Sequence, residues 1–251
     1  MIRRLVREAW PVALLLTAWQ LWASHAGFNR IVLVTPAAVL RDLANTPGTY
    51  LEPTVHTLVY ALGGLALGMF AGVTLAVCAN LSELLAGMTW PFAAILSSTP
   101  VVCLIPLLAR LFGHDSRSEL ATVAVMTFFP CYLYGSRGLR EWPRLSDEVF
   151  RSLAASRMVR LRLLSLPAAM PAISSALRLG ASISVLVALV TEYLIQVGGL
   201  GTLFAVTMQK FDMPRALGAS LVAMALSVLL YELGCAVEWR VHRHYRGYGN
   251  S

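Results

Sequence analysis

Six long apolar stretches, separated by short polar segments, organise this chain: Trp10–Ser24, Thr54–Ala79, Leu85–Phe112, Glu119–Gly138, Ala168–Val197 and Pro214–Glu238. A helix crosses the hydrocarbon core of a bilayer in roughly 20 residues, so the pattern predicts an all-α, polytopic membrane protein with about six transmembrane helices. The polar segments leave little room for a second folded unit. The longest, His25–Pro53, carries breakers at Thr35-Pro36 and Pro47-Gly48 and reads as a short helix with loops. Residues 1–251 therefore read as a single membrane domain, with no strict repeat and no low-complexity tract. The first stretch follows Arg3, Arg4 and Arg7 and ends in Ser24-His25-Ala26, which is also the form of a cleavable secretory signal. Pro11 and the tryptophans at both ends, Trp10 and Trp22, read instead as a retained span.

Composition agrees with a membrane class. Apolar residues make up 57% of the chain and charged residues 13%, and the mean hydropathy is +0.67, too apolar for an ordinary soluble domain. A net charge of +7 raises nucleic acid as a partner, but all the basic residues except Lys210 are arginines, and most lie beside apolar spans. A bilayer surface accounts for them better. With the N-terminus inside, the cytoplasmic segments hold Arg3, Arg4, Arg7, Arg137, Arg140, Arg144, Arg151, Arg157, Arg160, Arg162, Arg178, Arg240, Arg243 and Arg246, against Arg30, Arg41, Arg110, Arg117, Lys210 and Arg215 outside. That asymmetry predicts that both termini face the cytoplasm.

The densest chemistry lies at Asp147–Gly180, where Arg151, Arg157, Arg160 and Arg162 precede an apolar run and Pro167 and Pro171 mark the change. Glu148, the run Arg151–Ser156 and the pair Leu166-Pro167 resemble the signature loop of permease subunits in binding-protein-dependent ABC importers. Other pieces are similar to the branch of that family that imports nitrate, sulfonates and taurine. These are Thr99–Gly113, then Thr191-Glu192 followed by Gly199-Leu200-Gly201, similar to that branch's fifth span and its outer turn, and Glu238-Trp239-Arg240. The likeness covers about residues 34–246, with the cytoplasmic coupling loop at about 140–167.

The resemblance implies a type I importer fold. It also implies ABC ATPase subunits that bind ATP and Mg, a periplasmic or surface solute-binding protein, and a second permease subunit forming a homodimer. The coupling residues it marks are Glu148, Arg151, Ser152, Leu153, Ala154, Ala155, Ser156 and Arg157. Two departures stand out: Val149 and Phe150 replace small residues, and Ala154 replaces a turn glycine. Alanine fits there only with ordinary dihedrals, so the loop is expected to bend elsewhere or its two helices to be more continuous.

From the residues alone, Phe150, Leu153 and Leu161 supply apolar anchors and Arg151, Arg157 and Arg160 cationic edges, fit for a partner's groove or for anionic headgroups. The chain has no G-x-x-x-x-G-K-[ST] loop, since its single lysine precedes Phe211; nucleotide chemistry belongs to another subunit and no enzyme activity is expected here. No cofactor or metal is expected either. Cys78, Cys103, Cys131 and Cys235 lie in apolar spans without C-x-x-C spacing, and His242 and His244 lack a ligand partner.

Three residues are candidates for the pathway or its gate: Glu192, Thr191 and Arg110. A carboxylate in a span is costly and faces protein or water, so substrate contact, gating and a structural hydrogen-bonding role all stay open for Glu192. Arg110 either snorkels to headgroups or pairs with Glu192. Gly64, Gly68 and Gly72 form a smooth face, for packing within one subunit or between two. The expected function is the permease subunit of an ATP-driven importer for a small anionic or polar solute. A non-transporting membrane scaffold that recruits a cytoplasmic enzyme is the alternative.

Overall fold

The computed structural model describes residues 2–25, 34–97, 99–141, 148–150 and 152–245, with the backbone alone at helical residues 2–9, 12, 13, 83, 90, 92–94, 96 and 97. Its described helices are α1 (Ile2–His25), α2 (Pro36–Asn45), α3 (Pro47–Leu81), α4 (Glu83–Ser97), α5 (Val101–Phe112), α6 (Ser116–Gly138), α7 (Arg157–Ile195), α8 (Gly199–Gln209) and α9 (Met213–His244). Among the described residues α3, α7 and α9 are each long and apolar enough to cross a membrane. The architecture is all-α and polytopic, as the spacing of apolar stretches predicts.

Helix ends follow local chemistry. Thr35 caps α2 by accepting from Ala38 N, with Pro36 in the first turn, and Pro47 opens α3 where its missing N–H costs nothing. α3 thus begins seven residues before the apolar stretch it contains. The third stretch departs from expectation, for Leu85–Phe112 is not one helix but α4 followed by α5. Pro100 sits in an extended conformation (φ −60°, ψ 128°) as the N-cap of α5, and a proline pushes the residue before it out of the helical region. α8 is a further departure. Gly199-Leu200-Gly201 was expected as an outer turn, yet it opens an 11-residue helix, too short to span.

The core is built on α3, α6 and α7. Gly64, Gly68 and Gly72 of α3 lie against α6: a Cβ at Gly68 would fall 2.4 Å from the Ala124 carbonyl oxygen, and one at Gly72 2.6 Å from that of Phe128. The small-residue face is therefore used within the subunit, with α3 and α6 in backbone contact. Two clusters fill the interior, one around Tyr50, Leu65, Val123, Val185 and Leu226, the other around Ala76, Phe129, Tyr132, Leu161 and Ile173. Leu62, Phe70, Ile95, Leu111, Leu186 and Met224 point outward, the pattern of a surface meeting hydrocarbon.

Polar ties fix the remaining helices. Arg215 of α9 pairs with Asp42 of α2 at 3.2 Å, and Tyr50 of α3 donates to the same carboxylate. Arg178, counted among the cytoplasmic arginines, lies inside α7. There it pairs with Glu238 of α9 at 2.8 Å and donates to Tyr231. An arginine inside a span is tolerated because these partners meet it.

Candidate functional site

The expected coupling residues gather at the start of α7, while Arg144, Asp147 and Arg151 lie outside the described residues. A helical turn begins at Glu148 and closes on itself: Leu153 N donates to the Val149 carbonyl and Ala155 N to the Phe150 carbonyl. The second bond is that of a Schellman closure, which requires a left-handed residue just before its donor. Ala154 is that residue, at φ 48°. The expectation of ordinary dihedrals at Ala154 is therefore wrong. The loop bends at the family's glycine position, with alanine bearing the strain of a crowded Cβ. Ala154→Gly should relieve about 1 kcal/mol of that strain. The check is slower hydrogen exchange at Ala155 and Ser156; exchange equal to the parent would show that the turn is unstrained.

After the turn, Ser156 caps α7 by accepting from Val159 N, and Arg157 donates to the Leu81 carbonyl at 3.3 Å. A cation on that free carbonyl complements the C-terminus of α3 and fixes where the segment leaves the bundle. Leu161, expected as a docking anchor, is instead buried in the second core cluster. The exposed apolar side chains here are Val149, Leu153, Met158 and Val159, and Leu153 is 72% exposed. Leu166-Pro167 lies within α7 and not at the head of a new helix. The π turn Leu161–Ser165 just ahead of it widens the backbone where Pro167 lacks an N–H and needs room for its ring.

At the opposite end of α7 lies a carboxylate node. Glu192 is fully buried and accepts from Thr57 Oγ1 of α3 at 2.7 Å and from the Gly201 N–H of α8 at 2.8 Å. Thr57 Oγ1 in turn accepts from Leu200 N at 3.0 Å. Gly199, at φ 80°, wraps the carboxylate so closely that a Cβ there would lie 2.0 Å from Oε1. Glu192 thus joins α3, α7 and α8. Its charged neighbours are His56, with Nδ1 3.5 Å away, and Glu119 of α6, which is also fully buried.

The other two gate candidates do not join this node. Arg110 is exposed at the end of α5, and Glu192 faces His56 and not Arg110. Thr191 is buried and donates to the Val187 carbonyl of its own helix. His56 and Glu119 carry no motif and escaped the sequence reading. The available signal was that both are ionisable groups near the same ends of their predicted spans.

Beside the node, α7, α8 and α9 line a cavity of about 450 Å³ that opens on the protein's surface, with Leu189, Tyr193, Phe204, Ala223 and Met224 among its walls. No charged side chain lines it.

Comparison with known proteins accords with this architecture. Residues 64–240 match the family described as binding-protein-dependent transport system inner membrane component. The "Probable ABC transporter permease protein" of Haemophilus influenzae is 28% identical over 96% of this chain and 97% of its own. The riboflavin transport system permease protein of Chloroflexus aurantiacus is 30% identical over 94% and 92%. Other relatives at 24–26% identity are named for transport of formylaminopyrimidine, taurine, aliphatic sulfonates and nitrate. The inward-facing MetNI methionine ABC transporter shares the fold, with a TM-score of 0.50 at 19% identity over 84% of this chain and 96% of that one.

The chain therefore belongs to the binding-protein-dependent transport system inner membrane component family. It is a multi-pass permease component of an ABC importer and not itself the catalyst, and the family implies ATPase and binding-protein partners. The resemblance to that family is borne out.

Proposed function

We propose that two copies of this chain form a pathway for a small anionic or polar solute. Residues 148–157 seat in a separate ATPase subunit that binds ATP and Mg, and a binding protein delivers the solute on the opposite side. The excess of arginine at the α7 start supports an orientation with that end, and both termini, in the cytoplasm. Exposed Leu153 beside a tight left-handed turn carries this reading. A large apolar side chain held out at the bundle's arginine-rich end is what a partner's groove takes up.

The solute class rests on the relatives named for taurine, sulfonates, nitrate, riboflavin and formylaminopyrimidine, all small polar molecules or anions. The uncharged cavity beside the node offers no cationic site to retain an anion, which suits passage with selection left to the binding protein.

Leu153→Asp tests the docking. Copurification of the ATPase should fall about tenfold or more, the loss of ~1.4 kcal/mol or above expected of a central anchor, with permease abundance in the membrane unchanged. Undiminished copurification and uptake would remove the docking assignment. ATP-driven uptake into vesicles holding the complex separates a permease from a scaffold that moves nothing.

A further inference from the structure

His56, Glu119 and Glu192 come from three helices and converge at one point inside the protein. His56 Nδ1 lies 3.5 Å from Glu192 Oε1 and 3.9 Å from Glu119 Oε2, and one donor atom from each residue lies within 4.8 Å of the others. Glu192 is held by Thr57 and Gly201, but Glu119 has no such support. It is fully buried, and neither carboxylate oxygen has a hydrogen-bond partner; His56 Nδ1 has none either. A buried, unpartnered carboxylate beside a second carboxylate costs several kcal/mol, and among the described residues no arginine or lysine pairs with either one. Either a proton shared between the carboxyl groups or a cation must balance the site.

We propose that His56 Nδ1, Glu119 and Glu192 bind a divalent transition-metal ion of the zinc class, tying α6 to α3 and α7. Bonds of 2.0–2.1 Å to a tetrahedral ion set neighbouring donor atoms about 3.3–3.4 Å apart, so the two His56 spacings, 3.5 and 3.9 Å, need to close by about half an ångström at most, and the two carboxylates start no more than 4.8 Å apart. One imidazole with two carboxylates selects such an ion over magnesium or calcium, which take oxygen alone. Two carboxylates neutralise its charge, and the imidazole binds neutral.

The outer shell is in place. The Thr57 hydroxyl and the Gly201 N–H orient Glu192, while the His56 ring packs against Tyr60, tilted by 43° at 4.5 Å between centroids, and abuts Gly198. His56, with its side chain 23% exposed, is the ion's point of entry, since both carboxylates are sealed.

The test uses the full permease purified with its ATPase, in a His242→Ala/His244→Ala background that removes the histidines of the α9 terminus. After chelation, the protein is reloaded with zinc or with cobalt, freed of unbound metal and assayed for metal content and thermal stability. One equivalent per permease chain is expected, with a cobalt spectrum of tetrahedral nitrogen–oxygen ligation and a higher unfolding temperature. Glu119→Gln and His56→Gln should each weaken metal binding at least tenfold and abolish the stabilisation.

Parent protein that binds no metal and gains no stability would overturn the proposal, leaving two carboxyl groups that share a proton. Equal binding in Glu119→Gln would overturn it as well. The parent's cobalt spectrum decides the matter without the variants should they fail to fold; octahedral or all-oxygen ligation refutes the site.

Discussion

Gly68→Leu should leave less than a tenth of the parental amount of monodisperse permease after detergent extraction. The added side chain has nowhere to go: its Cβ alone would lie 2.4 Å from the Ala124 carbonyl oxygen and 2.9 Å from the Phe128 nitrogen, both backbone atoms that cannot turn aside. Overpacking ordinarily costs about 1–3 kcal/mol where side chains can yield, and more where two helix backbones must be driven apart. Gly48→Ala is the matched control, because a Cβ there meets nothing within 4 Å. Size-exclusion profiles of the two variants check the prediction. A normal profile for Gly68→Leu would mean that α3 and α6 are not in backbone contact.

The second large effect belongs to Glu192→Leu, which keeps the bulk and removes both acceptors. The Gly201 N–H loses the acceptor it reaches at 2.8 Å, and a buried unmatched donor costs about 1–3 kcal/mol, while the Thr57 hydroxyl loses its 2.7 Å partner and keeps the Pro53 carbonyl at 3.1 Å. The unfolding temperature of the solubilised complex should drop, and uptake should fall at least tenfold as α8 detaches from α3. Glu192→Gln retains one acceptor and should lie between that variant and the parent. Uptake at the parental level in Glu192→Leu would mean that α8 is held without this carboxylate.

Much of this was legible along the chain. Apolar stretches of about bilayer length located α3, α7 and α9, and Glu148, Ala154 and Leu166-Pro167 marked a segment that the fold sets at the start of α7. What stayed hidden depended on the third dimension. A run of apolar residues does not reveal that Pro100 divides it or that Leu161 turns inward. Nor does Ala154 announce a left-handed conformation, because the closing hydrogen bond from Ala155 to Phe150 imposes it against the residue's own preference. The carboxylate node was half visible. Glu192 stood out as a charge in an apolar span, while His56 and Glu119 lie 136 and 73 positions from it and meet it only through packing of α3 and α6 on α7.

One helix carries both regions. From Leu166 to Ile195 α7 runs as an uninterrupted 30-residue rod, about 45 Å at 1.5 Å per residue. Were its Ser156 end, the handle, pushed by a partner, the rod would act as a lever whose long arm ends in the Glu192 node. The closely packed pair α3 and α6 would serve as the fulcrum, and the π turn at Leu161–Ser165 lies near the handle. A few degrees of tilt imposed at the handle become several ångströms of sweep at the far tip. The strength of the attachment around Glu192 thus determines whether a push on this protein is delivered across the bilayer or dissipated on the way.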